Sequence, residues 1–313
     1  MSLINFEGRS VIVTGAGGGL GRQYALALAQ HGARVLVNDL GGGVHGDGGG
    51  TGMADSVVQE IKDAGGEAVA CYESVATPEG GRSIVEATMD AFGSVDALIH
   101  NAGILRDRSL GSLTSEEVDA VLDVHLRGGF HVTIPAFARM KEAKFGRIIM
   151  TSSSSGLLGN FGQANYGAAK TGLVGLAHVA AVEGAKHGIL ANVIAPGART
   201  RMTEGLLGAE MDKLLDPAQV AAMAVYLASP QCTQTHEIYA AGGGRFARYV
   251  IGLNDGWFAP NRPASPDDVF KHIEQIRDLK TLQIHDSGAG EMGVLYRMAE
   301  AAGALVGTDP TKR

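Results

Sequence analysis

Short runs of β-branched and aliphatic residues alternate along the chain with longer stretches whose apolar positions recur at helical spacing, beginning near Ser10. Seven runs read as strands: Val11–Gly15, Arg34–Asp39, Ala68–Glu73, Asp96–Gly103, Arg147–Ser153, Leu190–Pro196 and Glu237–Gly242. Several are apolar throughout, as strands buried on both faces should be. Helix starts are marked locally. Thr77-Pro78 and Asp216-Pro217 each set an N-cap before a proline at the first helical position, and Thr114–Glu117 (TSEE) is a capping box. This alternation predicts an α/β fold, a mainly parallel seven-stranded sheet wrapped by helices. After Gly244 the pattern stops, so residues 1–244 are expected to form one domain. Residues 245–313 hold the sole tryptophan, Trp257, and one helical stretch near Asp267–Leu279. That is too little for an independent core, and an extension packed on the domain or on a partner subunit is expected.

Composition narrows the function classes. A net charge of −7 and a pI near 5.8 give no global field to draw in nucleic acid or an anionic membrane, so an anionic ligand has to be met by a local site. Cys71 and Cys232 are far apart and lack metal-type spacing, which suits two buried apolar residues in a reducing compartment. No apolar run reaches the roughly 18 residues a membrane helix needs, and neither end reads as a targeting address. The cytoplasm is the expected location.

The first strand runs into TGAGGGLG, with Gly15, Gly19 and Gly21 spaced for a tight turn, a close approach to a ligand and entry into a helix. Glycines there let backbone N–H groups reach a pyrophosphate, and the helix N-terminus adds positive charge. The strand before and helix after make this a dinucleotide signal. Asp39, at the end of the second strand, lies where a carboxylate accepts hydrogen bonds from adenine-ribose hydroxyls and repels a 2′-phosphate, which selects NAD. An acid there also serves to cap the next turn. The glycine run that follows, NDLGGGVHGDGGGTG at 38–52, reads as a flexible insertion before a helix beginning near Met53. Its His45 and Asp47 either close beside an adenosine or stay solvated.

Residues 146–172 place four serines, Ser152 to Ser155, ahead of a helix bearing Tyr166 and Lys170 at i, i+4, phenol and ammonium on one face. A phenol is a poor base at neutral pH, but a nearby ammonium and an oxidised nicotinamide ring favour phenolate. In isolation such a pair also marks an amphipathic surface helix. Here it follows TGAGGGLG and the Asn101-Ala102-Gly103 triplet, and it precedes IAPG at Ile194–Gly197.

In motif order and spacing the chain resembles the short-chain dehydrogenase/reductase family. NDLGG, NAGILRDRS, VHLRGGF, GRIIMTSSSSG and GNFGQANYGAAK are similar to the (3R)-hydroxyacyl-CoA dehydrogenase unit of the peroxisomal multifunctional type 2 enzymes, also called 17β-hydroxysteroid dehydrogenase type 4. The resemblance implies a Rossmann-type, doubly wound sheet, and NAD-dependent oxidation of a (3R)-3-hydroxyacyl-CoA. A 17β-hydroxysteroid dehydrogenase is the alternative; a 3-oxoacyl carrier-protein reductase fits less well, because Asp39 disfavours NADPH. By position, Ser153 would hydrogen-bond the reacting oxygen, Tyr166 would take the proton, and Lys170 would orient the nicotinamide ribose. Gly15, Gly19, Leu20, Gly21, Asp39, Val75, Asn101, Ala102, Gly103, Tyr166, Lys170, Pro196, Gly197 and Thr200 would meet the cofactor. Most of the broader family has Asn where this chain has His125, so a proton relay through imidazole and a packing histidine both remain open. Arg106, Arg108, Arg245 and Arg248 are candidates for CoA phosphates. Met202, Leu206, Leu207 and Met211 fall where relatives place a flap over the substrate. A homodimer or homotetramer is implied.

Overall fold

The computed structural model describes residues 3–198, 214–259 and 263–304. The chain divides into two compact units, Met1–Tyr249 and Val250–Arg313.

In the first unit, β1 (Ser10–Thr14), β2 (Arg34–Asn38), β3 (Glu67–Cys71), β4 (Ala97–His100), β5 (Gly146–Thr151), β6 (Ile189–Pro196) and β7 (Ile238–Gly242) form one parallel sheet. Their order, β3-β2-β1-β4-β5-β6-β7, is that of a doubly wound fold. Both faces are covered, as the continuous apolar strands require. Along β1, Val11 and Val13 enter one core with Tyr24 and Leu28 of α1 (Gly19–Gln30), Val57 and Ile61 of α2 (Gly52–Asp63), and Val220 and Leu227 of α8 (Pro217–Ala228). Ile12 points the other way. It packs with Ile84 of α3 (Pro78–Phe92), Val132 and Met140 of α5 (Gly128–Ala143), and Leu173 and Ala177 of α7 (Ala164–Gly184). Between α3 and α5 lies α4 (Ser115–Leu122), and α6 (Ser154–Leu158) follows β5.

The caps form as their residues dictate. Thr77 accepts the Gly80 N–H, Asp216 accepts that of Ala218, and Thr114 and Glu117 make a reciprocal box. One strand goes beyond the expectation. Arg245–Tyr249 is β8, paired antiparallel to β7. Gly243 (φ +58°) and Gly244 (φ +74°) turn the chain between them, the two-residue hairpin for which paired glycines are suited. The sheet therefore has eight strands, and the first unit takes in residues through Tyr249.

Among its described residues the second unit holds two α-helices. One is α9 (Pro266–Arg277), started by a Ser265/Asp268 capping box, with Trp257 stacked on its His272 at 4.1 Å; the other is α10 (Gly288–Ala301).

Candidate active site

Strand order reverses between β1 and β4, and above their C-terminal ends opens a cleft of about 740 Å³. Gly15 and Gly19, with φ of +64° and +52°, make the turn out of β1. A Cβ on Gly15 would lie 2.7 Å from Ala102 Cα, and one on Gly21 would lie 2.1 Å from the Gly15 oxygen. The β4 end staples this turn. The Asn101 amide donates to the Thr14 and Gly15 carbonyls at 3.2 and 3.1 Å, and the Thr14 hydroxyl accepts the N–H groups of Asn101 and Ala102. Gly15, Gly18, Gly19 and Leu20 line the cleft, whereas Gly21 sits beneath the turn and lets α1 approach it.

Asp39 follows β2 and lines the same cleft. Its carboxylate accepts the Gly17 N–H on one oxygen and the Gly41 N–H on the other, both at 2.7 Å. It both caps and faces the cleft. A side chain on Gly17 would collide with that carboxylate at 2.8 Å.

On the far side of the cleft, Tyr166 and Lys170 come from α7. Lys170 is buried. Its ammonium donates to the Thr151 carbonyl at 2.7 Å and stands 5.5 Å from the centre of the Tyr166 ring. Burial pulls its pKa down to about 7. Burial also raises the Tyr166 pKa, the Ser153 hydroxyl hydrogen-bonded to it opposes that rise, and the Asp107 charge adds to it. The chain by itself therefore favours the protonated phenol, whereas the phenolate expectation counted an oxidised nicotinamide ring beside the lysine. Among the serines, Ser152 is committed to the Lys170 carbonyl at 2.9 Å, Ser154 and Ser155 open α6, and Ser153, whose oxygen accepts the Ser155 N–H at 3.1 Å, is the one that acts on the phenol.

His125 lies in a π-helical turn, Asp123–Arg127, between α4 and α5. Its Nε2 is 2.9 Å from the Ile104 carbonyl oxygen and 3.0 Å from the Ile104 nitrogen. Its Nδ1 is buried with no hydrogen-bond partner among the described residues. The ring stands edge-on to Tyr166 with centroids 5.3 Å apart. Burial first, and the Lys170 charge next, push its pKa well below the ordinary histidine value, so the imidazole is neutral.

A profile for short chain dehydrogenases matches residues 9–210. The chain is 49% identical over 278 residues to a Mycobacterium tuberculosis protein named as a short-chain type dehydrogenase/reductase, covering 89% of this chain and 97% of that one. The chain belongs to the short-chain dehydrogenase family. It is also 45% identical over 303 residues to the mouse peroxisomal multifunctional enzyme type 2, covering 95% of this chain and 41% of that enzyme. The structure of the full-length Drosophila melanogaster enzyme of the same name superposes with a TM-score of 0.81 at 38% identity, over 95% of this chain and 50% of that one. The chain thus spans about half the length of these multifunctional relatives. Their names carry a compartment, the peroxisome, where the sequence reading expected the cytoplasm for this chain.

The cleft brings together all the expected site residues except two. Ser153, Tyr166, Lys170, His125, Asp39, Val75, Asn101, Ala102, Gly103, Pro196 and Gly197 line it with Gly15, Gly19 and Leu20. Gly21 acts from below, and Thr200 lies outside the described residues, as do Met202, Leu206, Leu207 and Met211. Of the four arginines only Arg106 lines the cleft. Arg108 pairs with Glu117 and Arg248 with Glu237, while Arg245 begins β8. Sequence reasoning missed Asn165, whose amide nitrogen donates to the Arg106 and Glu117 carbonyls and whose oxygen accepts the Tyr166 N–H at 2.8 Å. Its place one residue before the tyrosine was the available signal. Leu40 and Gly42–Gly46 also line the cleft.

Proposed function

We propose that this chain is an NAD-dependent dehydrogenase that oxidises (3R)-3-hydroxyacyl-CoA thioesters to 3-oxoacyl-CoA. The observation that carries the reading is the convergence of Ser153, the Tyr166 phenol and the buried Lys170 in one glycine-floored cleft with Asp39. The cradle fits a dinucleotide: at Gly15 and Gly21 a side chain would strike backbone, and both Asp39 oxygens keep lone pairs for ribose hydroxyls. Bound NAD⁺ supplies the hydride acceptor and a positive ring.

Ser153 holds the substrate oxygen, and Tyr166 takes the hydroxyl proton as the C–H bond at carbon 3 releases its electron pair with the hydride. Tyr166 enters this step as the phenolate, which the Lys170 charge favours, and leaves it as the phenol. The sum is one secondary alcohol and NAD⁺ giving one ketone, NADH and a proton. Arg106, which lines the cleft and donates to Asp47, remains the candidate for a CoA phosphate. The acyl-CoA assignment rests on the motif resemblance to the multifunctional dehydrogenase units. A homodimer or homotetramer belongs to the same reading, supported by the exposed Phe130 and Ile134 of α5 and Val179 and Val182 of α7.

NADH formation measured in parallel on (3R)- and (3S)-hydroxyacyl-CoA and on steroid alcohols tests it. Turnover is expected on the (3R) thioester. Turnover confined to the (3S) isomer or to steroids overturns it.

A further inference from the structure

The glycine-rich run after Asp39 has no part in the chemistry above, yet it is a built element, not the flexible insertion its composition suggests. Leu40–Gly50 leaves β2 and returns through a neck closed by the Gly50 N–H, which donates to the Leu40 carbonyl at 3.0 Å. A Cβ at Gly41 would fall 2.0 Å from the Gly50 oxygen, so the neck admits only glycine. Inside it the Gly43 N–H bonds the Asp47 carbonyl at 2.8 Å, and the Gly46 N–H bonds the Gly43 carbonyl at 2.9 Å. Such a run is a compact Ω-loop.

Its tip grips the chain that follows β4. The Leu105 N–H donates to the Val44 carbonyl at 3.0 Å, and His45 Nδ1–H donates to the Leu105 carbonyl at 3.0 Å. The Arg106 guanidinium donates to the Asp47 carboxylate at 3.2 Å. The strands β2 and β4 flank β1, so their ends are two strand spacings apart, about 10 Å. A segment that starts at the end of β2 and bonds to residues beyond β4 crosses the end of β1, above the glycine turn. Leu40 and Gly42–Gly46 line the same cleft as Gly15 and Leu20, and so form its roof.

We propose that Leu40–Gly50 is a strap closing over the nucleotide, latched through Val44, His45 and Asp47 onto Leu105 and Arg106, and that unlatching sets the rate of nucleotide release. The inference rests on the nucleotide reading above. The latch is suited to opening. His45 and Asp47 are exposed, and an exposed ion pair and two hydrogen bonds hold weakly. The gripped strip also reaches the chemistry, because the Arg106 carbonyl holds Asn165 beside Tyr166 and the Ile104 backbone holds His125.

The test is NADH release from the full chain, followed by stopped-flow fluorescence, in His45→Ala, Asp47→Ala and the double variant. The double variant is expected to release NADH roughly three- to tenfold faster than the unmodified chain, with an unchanged melting temperature. Hydrogen exchange at the Leu105 and Gly50 amides is expected to slow when NADH is added. Tight NADH binding with an unaltered release rate in the double variant overturns the strap and leaves the nucleotide reading standing. Failure of the unmodified chain to bind NADH overturns both.

Discussion

The Lys170 ammonium donates to the Thr151 carbonyl at 2.7 Å and faces the Tyr166 ring from 5.5 Å, a charge held in the interior with one carbonyl for a partner. Burial brings its pKa from 10.5 to about 7. Between those values the unfolded chain binds the proton and the folded chain does not, so this group makes stability rise with pH across that window. Below about 7 the full cost of the buried charge is present, at most about 5 kcal/mol. In Lys170→Met the variant is expected to be stabilised relative to the unmodified chain near pH 6, with the difference shrinking toward pH 10. Urea unfolding at several pH values reads this directly. A difference independent of pH would show that the lysine is not desolvated as its surroundings imply.

Tyr166 gives a kinetic counterpart. Burial raises its pKa, and oxidation needs the tyrosine as phenolate to accept a proton, so oxidative turnover is expected to climb with pH above neutrality and the reverse reduction to fall. Tyr166→Phe is expected to cut turnover by about 10²- to 10⁴-fold while NADH binding, read by fluorescence, persists. Near-normal turnover in the phenylalanine variant would remove the tyrosine from the chemistry.

The legible features were those whose cause is local. Apolar strands, the Thr77, Thr114 and Asp216 caps, the glycine turn and the i, i+4 pairing of Tyr166 with Lys170 each depend on residues within a few positions of one another, and each is found where the pattern puts it. What escaped depends on contacts between distant segments. The strap at 40–50 reads as slack chain until Leu105 and Arg106, some 60 residues on, are seen to hold it. The Tyr166 pKa direction likewise follows from burial, which spacing does not report. β8 is a different case. The Gly243-Gly244 signal for a hairpin was present, but the following RFARY run carries two arginines in five residues and reads as the end of the pattern.

Gly103 and His125 form a second testable pair. A Cβ on Gly103 would lie 2.2 Å from His125 Cε1, while nothing in the backbone conformation there demands glycine. Gly103→Ala is therefore expected to act by displacing the imidazole from Ile104 and from the Tyr166 edge. If His125 positions the phenol, Gly103→Ala and His125→Ala lower turnover by similar factors, and the double variant loses little more than either. His125→Asn, small enough to hydrogen-bond Ile104, is expected to recover part of the rate. Full additivity of the two alanine changes would mean that the residues act separately.

Asp39 separates two effects that the cleft geometry merges. Its carboxylate holds the Gly17 and Gly41 N–H groups, so Asp39→Ala both removes a negative charge and frees the glycine turn and the root of the strap. Asp39→Asn removes the charge and keeps one acceptor oxygen, so one of the two N–H groups retains its partner. If repulsion of a 2′-phosphate is what selects NAD, both variants gain on NADP⁺ relative to NAD⁺ by about tenfold or more, corresponding to ~1.4 kcal/mol of repulsion relieved. The alanine variant is expected to lose more stability than the asparagine variant, by about 1–3 kcal/mol, because two backbone donors lose their acceptor in the first and one in the second. Cofactor-specific kcat/KM values and thermal unfolding of the two variants distinguish the contributions. A preference for NAD⁺ that survives in both would place cofactor selection elsewhere in the cleft and leave Asp39 as the clasp between the glycine turn and the strap.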